Sequence, residues 1–315
     1  MITAYCYEHH QVTATTINIK ESLPETALWL DIYQPIEAER LWLSSFSSAE
    51  VPDREDRNEI EASSRFYQNK DGLHVNSLFS QKSGQTLSSV NIYFNLRKQL
   101  LITIRDDNER LLDSLLTSLQ KEPTPQITPL QLFIQLFKMK VDHLADLIEE
   151  IYSTLENVGH EIFEKDHIDK VFKLITNRED TNGKIRLNLL DTQRALNYIL
   201  RDNQIELTND EAKDINNMLS DIASLIPHTQ FIFEKINFLM DAAMGFTGLQ
   251  QNKISKIFSI TAIVFLPPTL IASTYGMNFE NIPEVHWHYG YPWSIALMFA
   301  SAAATFGFFK LKRWL

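Results

Sequence analysis

The chain has 315 residues, of which 40 are acidic and 29 are basic, so its formal net charge is −11. That balance argues against nucleic acid as a partner and is compatible with binding cations. The single cysteine, Cys6, excludes an internal disulfide framework, and no Cys/His spacing typical of a zinc module occurs. The first residues lack the basic and apolar regions of a signal peptide, so we expect the N-terminus to stay in the cytoplasm.

Residues 1–125 predict a cytoplasmic α/β domain in which a small sheet is combined with helices. Short segments rich in β-branched and aromatic residues alternate there with polar breaks. The predicted strands are ITAYCYEH, QVTATTINI, ALWLDIY, SSRFYQN, LHVNSLF, VNIYFNL and LLITIR. Asp71-Gly72 is a hairpin signal between the fourth and the fifth. The segment AEVPDREDRNEIEASS, residues 49–64, favours a charged helix over a strand. We therefore expect an α+β fold for this domain.

The proline-rich segment KEPTPQITP ends this domain. Residues 126–253 predict a cytoplasmic helical stalk region, because leucine and isoleucine recur at helical spacing. Asn182-Gly183 predicts a break between two helices. Thr208 followed by Glu211 fits a capping box, so we expect a new helix to begin there. That helix should continue toward the C-terminus, with Pro227 causing a kink or a restart.

Two uncharged runs, from Ile257 to Phe279 and from Val285 to Phe309, are each long enough to cross about 30 Å of hydrocarbon. They predict an all-α hairpin with transmembrane helices at 254–275 and 292–310, an outer loop at 276–291 and a basic cytoplasmic tail at 311–315. Basic residues flank the hairpin and are absent from its loop: Lys253, Lys256, Lys310, Lys312 and Arg313. The positive-inside rule then places both termini in the cytoplasm, at the inner (cell) membrane.

The first of these helices carries a stripe of mostly small or polar residues at steps of four and three. This polar stripe consists of Asp241, Gly245, Gly248, Asn252, Ser255, Ser259, Ala262, Leu266, Thr269 and Ser273. A period of about 3.5 residues keeps one face of identical helices turned toward a common axis. Two explanations stay open: the small residues allow close helix packing, or the stripe lines a water-filled pore. One hairpin cannot enclose a pore, so the second explanation predicts a homo-oligomer.

Two features of the same helix suggest how such a pore would bend and close. Pro267 and Pro268 each remove a backbone donor, which favours a bend. Leu266 on the stripe and Phe258 at its edge are candidates for a constriction that closes by dewetting. Ordinary contact between helices is the alternative explanation for both side chains.

The motif YGMN lies where the first membrane helix is expected to end. Gly276 is expected to adopt the unusual backbone angles of a helix terminus and to turn the last carbonyls toward the helix axis. Asn278 adds an amide oxygen. Repeated around an axis, these groups would form a collar of neutral oxygens. Such a collar could hold Mg²⁺ through its waters, because Mg²⁺ takes oxygen ligands and releases water reluctantly.

The run YGMNFE, followed by PE, GYPW and the basic ending KLKRWL, closely resembles the CorA family of magnesium and cobalt transporters. The resemblance continues through NFLMDAAMGF and QNKISKIFSITAIVFLPPTL, and more loosely through DTQRALNY and IEASSRFYQNKDGLHVNSLF, so it covers most of the chain. It implies a funnel-shaped homopentamer with a cytoplasmic α/β domain and long stalk helices. The first membrane helix would line the pore, and the second would lie outside it.

The resemblance also implies a role for single residues. The selectivity signature falls on Gly276, Met277 and Asn278, with Asn278 as the metal-contacting residue. The family's pore-facing positions fall on Asp241, Asn252, Ser255, Phe258, Leu266 and Thr269. Mg²⁺, with Co²⁺ and Ni²⁺ as candidate passengers, would enter down its electrochemical gradient until cytoplasmic Mg²⁺ occupies inhibitory acidic sites between subunits. No cofactor is expected beyond Mg²⁺ as transported and regulatory ion.

The outer loop departs from the family at IPEVHWH, where relatives commonly have MPEL. Glu280 and Glu284 would concentrate cations at the mouth, unless they are simply solvated. We hypothesise that His286 and His288 alter pH dependence or transition-metal preference, because imidazole titrates near neutrality and binds Co²⁺, Ni²⁺ and Zn²⁺. An interfacial position without a role in selection is the alternative. Replacing both with alanine tests the hypothesis, which unchanged metal preference and pH dependence would refute.

Two further clusters are interpreted as solvated helix faces. One consists of His160, Glu164 and His167, and the other is the acidic run from Glu50 to Glu61, which would otherwise help to form a magnesium sensor. No P-loop, Rossmann glycine motif, GxSxG or HExxH occurs, so we expect no enzyme. The alternatives to magnesium transport are a zinc transporter of the same superfamily and a pore-less, membrane-anchored scaffold or signalling protein.

Overall fold

The computed structural model describes residues 1–8, 11–19, 22–46, 65–84, 86–121, 127–162, 168–202, 205–277 and 283–312. The chain divides into two compact units, Met1–Met240 and Asp241–Leu315. The segment 49–64, which was predicted to be a charged helix, lies outside the described residues. So do the acidic run from Glu50 to Glu61 and the side chains of His160, Glu164 and His167.

Seven strands form one mixed sheet in the first unit. They are β1 (Ile2–Glu8), β2 (Gln11–Ile17), β3 (Ala27–Tyr33), β4 (Phe66–Asn69), β5 (Gly72–Ser83), β6 (Thr86–Leu96) and β7 (Leu101–Arg105). Their spatial order is β2-β1-β3-β7-β6-β5-β4. β3 and β7 are parallel, whereas the other neighbours are antiparallel. Each of the seven predicted segments overlaps one strand, so the predicted α+β fold is confirmed.

The predicted turn between β4 and β5 is also confirmed. Asn69 pairs with Gly72, so Lys70 and Asp71 form the turn, and the Asp71 N–H donates to Asn69 Oδ1 at 2.8 Å. Gly72 has a φ of 130°, and a Cβ there would collide with the Leu96 carbonyl oxygen. Only glycine tolerates both the backbone angle and the close approach.

Six α-helices complete the described structure. They are α1 (Glu37–Phe46), α2 (Arg110–Lys121), α3 (Pro129–Glu161), α4 (Ile168–Arg201), α5 (Asn209–Tyr275) and α6 (Gly290–Leu311). A short 3₁₀ helix, Pro283–His286, precedes α6. The predicted capping box begins α5: the Glu211 N–H donates to Thr208 Oγ1, and the Thr208 N–H donates to Glu211 Oε2. Two backbone N–H groups at the start of α5, which have no partner within the helix, are thereby hydrogen-bonded.

Both faces of the sheet are covered by apolar side chains. On one face, Phe79 and Phe94 of the sheet contact Phe133 and Phe137 of α3, with ring centroids 5.3 Å apart for Phe94 and Phe133. The opposite face packs a second cluster that includes Leu43 of α1. Side chains alternate between the faces of a strand, so residues of β3 and β7 contribute to both layers.

The predicted break at Asn182-Gly183 is wrong, and so is a restart of the helix at Pro227. α4 runs without interruption through Asn182-Gly183, and α5 continues through Pro227 for a total of 67 residues without restarting. A glycine inside a helix costs only about 1 kcal/mol. Asn182 is buried, and its Nδ2 donates to the Thr229 carbonyl oxygen at 2.9 Å. Tertiary contacts of this kind outweigh the local preference for a break.

Candidate functional site

Within the described residues, two helices are long and apolar enough to cross a membrane: α5 and α6. The uncharged part of α5 begins at Ile257, and α6 contains no charged residue before Lys310. α5 ends at Tyr275, directly before Gly276, as predicted from the YGMN motif. The sequence prediction of two apolar helices separated by a short loop is therefore confirmed.

One face of α5 is half-buried within the second unit, and the polar stripe lies on the opposite face. The half-buried positions recur at helical spacing: Ile260, Val264, Pro267, Ile271 and Tyr275. Successive residues of a helix are rotated by about 100°, so Ser259, Leu266 and Ser273 lie roughly half a turn away. Every residue of the polar stripe is exposed. Close packing inside a single hairpin therefore does not explain the stripe. Two explanations remain: the stripe packs against another copy of the chain, or it lines a pore.

The hydroxyl groups of the stripe are satisfied within their own helix. Ser259 Oγ donates to the Ser255 carbonyl at 2.9 Å, and Thr269 Oγ1 donates to the Phe265 carbonyl at 2.7 Å. A hydroxyl at membrane depth needs such a partner for its hydrogen. Its oxygen lone pairs stay free to accept a hydrogen bond from water. This arrangement can support a hydrated cation without a charged side chain.

The structure corrects the expectation for Gly276. Its φ is not positive: among the described glycines, only Gly72 and Gly84 have a positive φ. The Gly276 N–H donates to the Ala272 carbonyl at 2.9 Å, so the residue extends the helical hydrogen-bond pattern instead of reversing it. A Cβ at Gly276 would lie 3.1 Å from the same Ala272 oxygen. Met277 is exposed, whereas Asn278 and Glu280 lie outside the described residues.

The 3₁₀ helix is fixed against the start of α6 by a close backbone approach. The Gly290 N–H donates to the Trp287 carbonyl at 2.9 Å, and a Cβ on Gly290 would collide with the Glu284 carbonyl oxygen. Glycine is therefore required in the GYPW motif, a constraint that the sequence reasoning missed. His286 and His288 are both exposed.

An open cavity of about 450 Å³ lies at this end of the hairpin. It is lined by Leu270, Ile271, Thr274, Tyr275, Met277, Glu284 and Leu297. Among the described residues of that lining, Glu284 is the one carboxylate, and the others are mostly apolar. The second unit therefore combines an apolar pocket with one acidic side chain directly beside the GMN motif.

No three His, Cys, Asp or Glu side chains among the described residues are grouped so that they could hold a metal ion. A group of ligands contributed by one protomer is thus absent from the parts of the chain that are described. Acidic Mg²⁺ sites between subunits are implied by the resemblance to the CorA family and stay a prediction.

The first unit contains a buried ionic cluster around Asp191 of α4. Its carboxylate contacts the Arg65 guanidinium at 2.9 Å and accepts hydrogen bonds from Ser77 Oγ at 2.6 Å and the Leu78 N–H at 2.8 Å. Lys140 of α3 donates to Ser77 at 2.9 Å. The cluster joins α3, α4 and β5. The sequence reasoning missed this cluster and considered DTQRALNY only for its resemblance to the CorA family. Asp191, an acidic residue next to apolar helix positions, is nevertheless a signal for a buried cationic partner.

Burial shifts the pKa of two groups near this cluster. It lowers the pKa of Lys140 to about 8, against the opposing effect of Asp191. It raises the pKa of Glu109 to about 7, because that carboxyl group is almost completely excluded from water. The rings of Phe79 and Phe137 lie 4.5 and 5.1 Å from Lys140 Nζ.

Comparison with known proteins assigns the family. The model of the family described as CorA-like Mg²⁺ transporter protein matches residues 24–313. The chain belongs to the CorA family. It is 37% identical over 319 residues to the magnesium transport protein CorA of Salmonella typhimurium and 38% identical over 320 residues to that of Escherichia coli K12. In both comparisons, all of this chain and all of the relative are covered.

The fold is shared with a distant CorA protein. The complete structure of the CorA magnesium transporter from Methanocaldococcus jannaschii matches with a TM-score of 0.74 at 18% identity, covering 100% of this chain and 99% of that one. At such low identity the match establishes the fold alone. It supports the sheet-containing domain, the long α5 helix and the C-terminal helix α6 as the CorA architecture.

Proposed function

We propose that this chain forms a membrane-embedded homo-oligomer that conducts Mg²⁺ into the cytoplasm.

 The observation that carries the proposal is the full-length identity of 37–38% to proteins named magnesium transport protein CorA. The exposed polar stripe on α5 supports it, because a stripe on the face opposite the half-buried one is available to a shared axis. Five copies are the number that the family resemblance implies.

In this proposal the stripe lines the pore, and the GMN motif selects the ion. Asp241 and Asn252 line the cytoplasmic part, Ser255, Ser259, Ala262, Thr269 and Ser273 line the membrane part, and Leu266 with Phe258 forms the constriction. Gly276, Met277 and Asn278 form the outer collar, in which the Asn278 amide oxygen contacts the waters of Mg²⁺. Hydroxyl oxygens that already donate within their helix support this role, because their lone pairs are free.

Transport needs no chemical energy source. A potential of about 100 mV, negative inside, drives a divalent ion inward by roughly 4.6 kcal/mol. Co²⁺ and Ni²⁺ are further candidate ions. Both termini lie in the cytoplasm of the inner membrane in this proposal, which the basic flanks of the hairpin support. Cytoplasmic Mg²⁺ closes the pore by binding acidic sites between subunits, as the family resemblance implies.

The test is Mg²⁺ influx into proteoliposomes that contain a trapped magnesium-sensitive dye. The cytoplasmic face is kept free of Mg²⁺, and an inward gradient and potential are imposed. We expect influx for the wild type and for Asn281→Ala, a matched control three residues beyond the motif. Asn278→Ala should reduce influx to the level of protein-free liposomes, because it removes the amide oxygen from the collar.

Each other outcome counts against a stated part of the proposal. Equal influx for Asn278→Ala and the wild type would refute the role of the collar. No Mg²⁺ influx from intact wild-type oligomer would refute magnesium transport. A zinc-sensitive dye in the same liposomes then distinguishes zinc transport from a pore-less anchor.

A further inference from the structure

The cavity beside the GMN motif extends from the end of the hairpin into its apolar part. Of its lining residues, Tyr275 is the last residue of α5, and Leu270 precedes it by more than one turn. Leu297 lies about two turns beyond Gly290, the first residue of α6. At about 1.5 Å per residue, Leu270 and Leu297 are roughly 8 and 10 Å from the ends of their helices. The lining therefore reaches from the polar end of the hairpin to the depth of the hydrocarbon.

Aromatic side chains mark this end of the hairpin as the level of a membrane interface. Trp287, Tyr289, Tyr291 and Trp293 are all at least half exposed, and the ring centroids of Trp287 and Trp293 are 6.3 Å apart. Tryptophan and tyrosine are enriched where lipid headgroups meet acyl chains, because their rings are apolar and their tips are polar. A molecule in the cavity would therefore lie at the boundary between headgroups and acyl chains.

The size and the apolar lining of the cavity favour part of a lipid as its occupant. Leu270, Ile271, Met277 and Leu297 contribute apolar surface. The volume of about 450 Å³ lies in the usual range for ligand sites, about 300–1,000 Å³. A helix with its side chains is about 10–12 Å across, so a single turn occupies roughly 500 Å³. A helix of a second copy could cover the cavity but could not fill it, whereas a flexible acyl chain could.

The charge at this end of the hairpin selects the headgroup. Glu284 is half-buried, and no ion pair of Glu284 occurs among the described residues. No lysine or arginine occurs from Ile257 to Phe309, so this part of the chain offers neither of these cations to a lipid phosphate. A half-buried carboxylate instead favours a cationic partner. A primary ammonium group donates three hydrogen bonds to such a partner, and the quaternary ammonium group of choline donates none.

We propose that this cavity binds phosphatidylethanolamine, with the lipid ammonium group on Glu284 and an acyl chain along Leu270 and Leu297. The sequence predicted only that Glu284 attracts metal cations at the mouth, and a bound lipid would give its carboxylate a second partner. The lipid site rests on the membrane-embedded location of the hairpin in the proposed function. It does not rest on Mg²⁺ conduction.

The test is native mass spectrometry of the full-length, delipidated protein in detergent. The protein is titrated with dioleoyl phosphatidylethanolamine, phosphatidylcholine or phosphatidylglycerol, and the Kd of the first lipid bound per protomer is measured. We expect phosphatidylethanolamine to bind about fivefold more tightly than phosphatidylcholine, which corresponds to an ion pair of about 1 kcal/mol. Phosphatidylglycerol should bind most weakly, because its net negative charge would face Glu284.

Two glutamate variants test the headgroup contact. Glu284→Gln should give phosphatidylethanolamine and phosphatidylcholine the same Kd, because it removes the charge that distinguishes the two headgroups. Glu234→Gln is the matched control, since Glu234 is an exposed glutamate of α5 that belongs to the first unit. It should retain the fivefold preference of about 1 kcal/mol.

Two pairs of leucine variants test the acyl-chain contact. Leu270→Trp combined with Leu297→Trp narrows the cavity and should weaken the binding of all three lipids by at least about fivefold, the loss expected for roughly 40 Å² of apolar contact. Leu249→Trp combined with Leu311→Trp should leave binding unchanged, because these exposed leucines of the same two helices lie outside the lining. Leu297→Trp alone replaces the first pair if that double variant does not fold.

Each other outcome overturns a stated proposal. Equal Kd values of the wild type for phosphatidylethanolamine and phosphatidylcholine overturn the lipid site, as does a preference that survives Glu284→Gln. If the cavity variants dissociate the oligomer but bind lipid like the wild type, a second copy covers the cavity and the lipid site is again overturned. Lipid binding is measured without ion flux, so a wild type that prefers phosphatidylethanolamine but conducts no Mg²⁺ refutes only the proposed function.

Discussion

Replacing Glu109 with glutamine tests the effect of a buried carboxyl group on the stability of the first unit. Glu109 is 2% exposed, and its Oε2 has no hydrogen-bond partner among the described residues. Its Oε1 receives only a long bond of 3.4 Å from the Leu111 N–H. Burial raises the pKa from 4.5 to about 7, although Arg105 and Lys140 oppose the increase.

The magnitude follows from the two pKa values. The folded protein holds the proton more tightly than the unfolded chain, so the contribution to stability is complete below the unfolded pKa of 4.5 and is lost as the pH rises through about 7. The loss of unfolding free energy is about 3 kcal/mol at about pH 8 and about 1 kcal/mol at about pH 5, because each unit of pKa difference is worth about 1.4 kcal/mol. Glutamine stays neutral throughout. Its stabilisation relative to wild type should thus be about 2 kcal/mol larger at the higher pH.

The assay is thermal unfolding of the full-length protein in detergent at both pH values. About 1 kcal/mol corresponds to roughly 2–4 °C for a unit of this size, so the gain in Tm from Glu109→Gln should be about 4–8 °C larger at the higher pH. Glu179→Gln removes an exposed glutamate from α4 and serves as the matched control. An equal change in Tm at both pH values would refute the argument that burial holds the proton on Glu109.

Three further predictions concern the buried ion pair, a buried histidine and the constriction. Arg105→Met should cost about 3–5 kcal/mol in urea unfolding because it strands Asp31, which lies 2.9 Å from Arg105 Nη2, and adding Asp31→Leu should recover part of that loss. Burial lowers the pKa of His74 to about 4, so stability should be present above the ordinary pKa of 6.5 and fall as the pH drops through about 4. Acid unfolding of His74→Gln, followed by circular dichroism, should show less of this pH dependence. Leu266→Ser should increase Mg²⁺ influx in the proteoliposome assay at inhibitory cytoplasmic Mg²⁺, because it makes the proposed apolar constriction polar. Ile257→Ser, at an exposed position of α5 outside the polar stripe, should not increase influx. Equal influx for both variants would contradict the constriction.

Local patterns predicted the seven strands, the start of α5 and the two apolar helices. The aromatic and β-branched residues of ALWLDIY predict β3. The reciprocal bonds between Thr208 and Glu211 begin α5 where the capping box places its start. The uncharged runs and the stripe period likewise depend only on residue spacing. Each of these signals is carried by neighbours within one or a few turns of chain, which is why sequence alone reveals them.

Other properties depend on residues that are distant along the chain. The local pattern at Asn182-Gly183 predicts a break in the helix. In the structure α4 continues there, and Asn182 bonds to the carbonyl oxygen of Thr229, 47 residues away. Gly276 was likewise expected to adopt the unusual backbone angles of a helix terminus, but its N–H continues the helical hydrogen-bond pattern.

The sequence by itself determined the α+β domain, the two apolar helices, the polar stripe and the family signature. Only the tertiary structure decided that the stripe lies opposite the half-buried face of α5, that Asp191 joins three elements, and that Glu109 is excluded from water. The physical reason is that spacing along a chain specifies which residues share a face. Burial and hydrogen-bond partners are instead specified by what packs against that face.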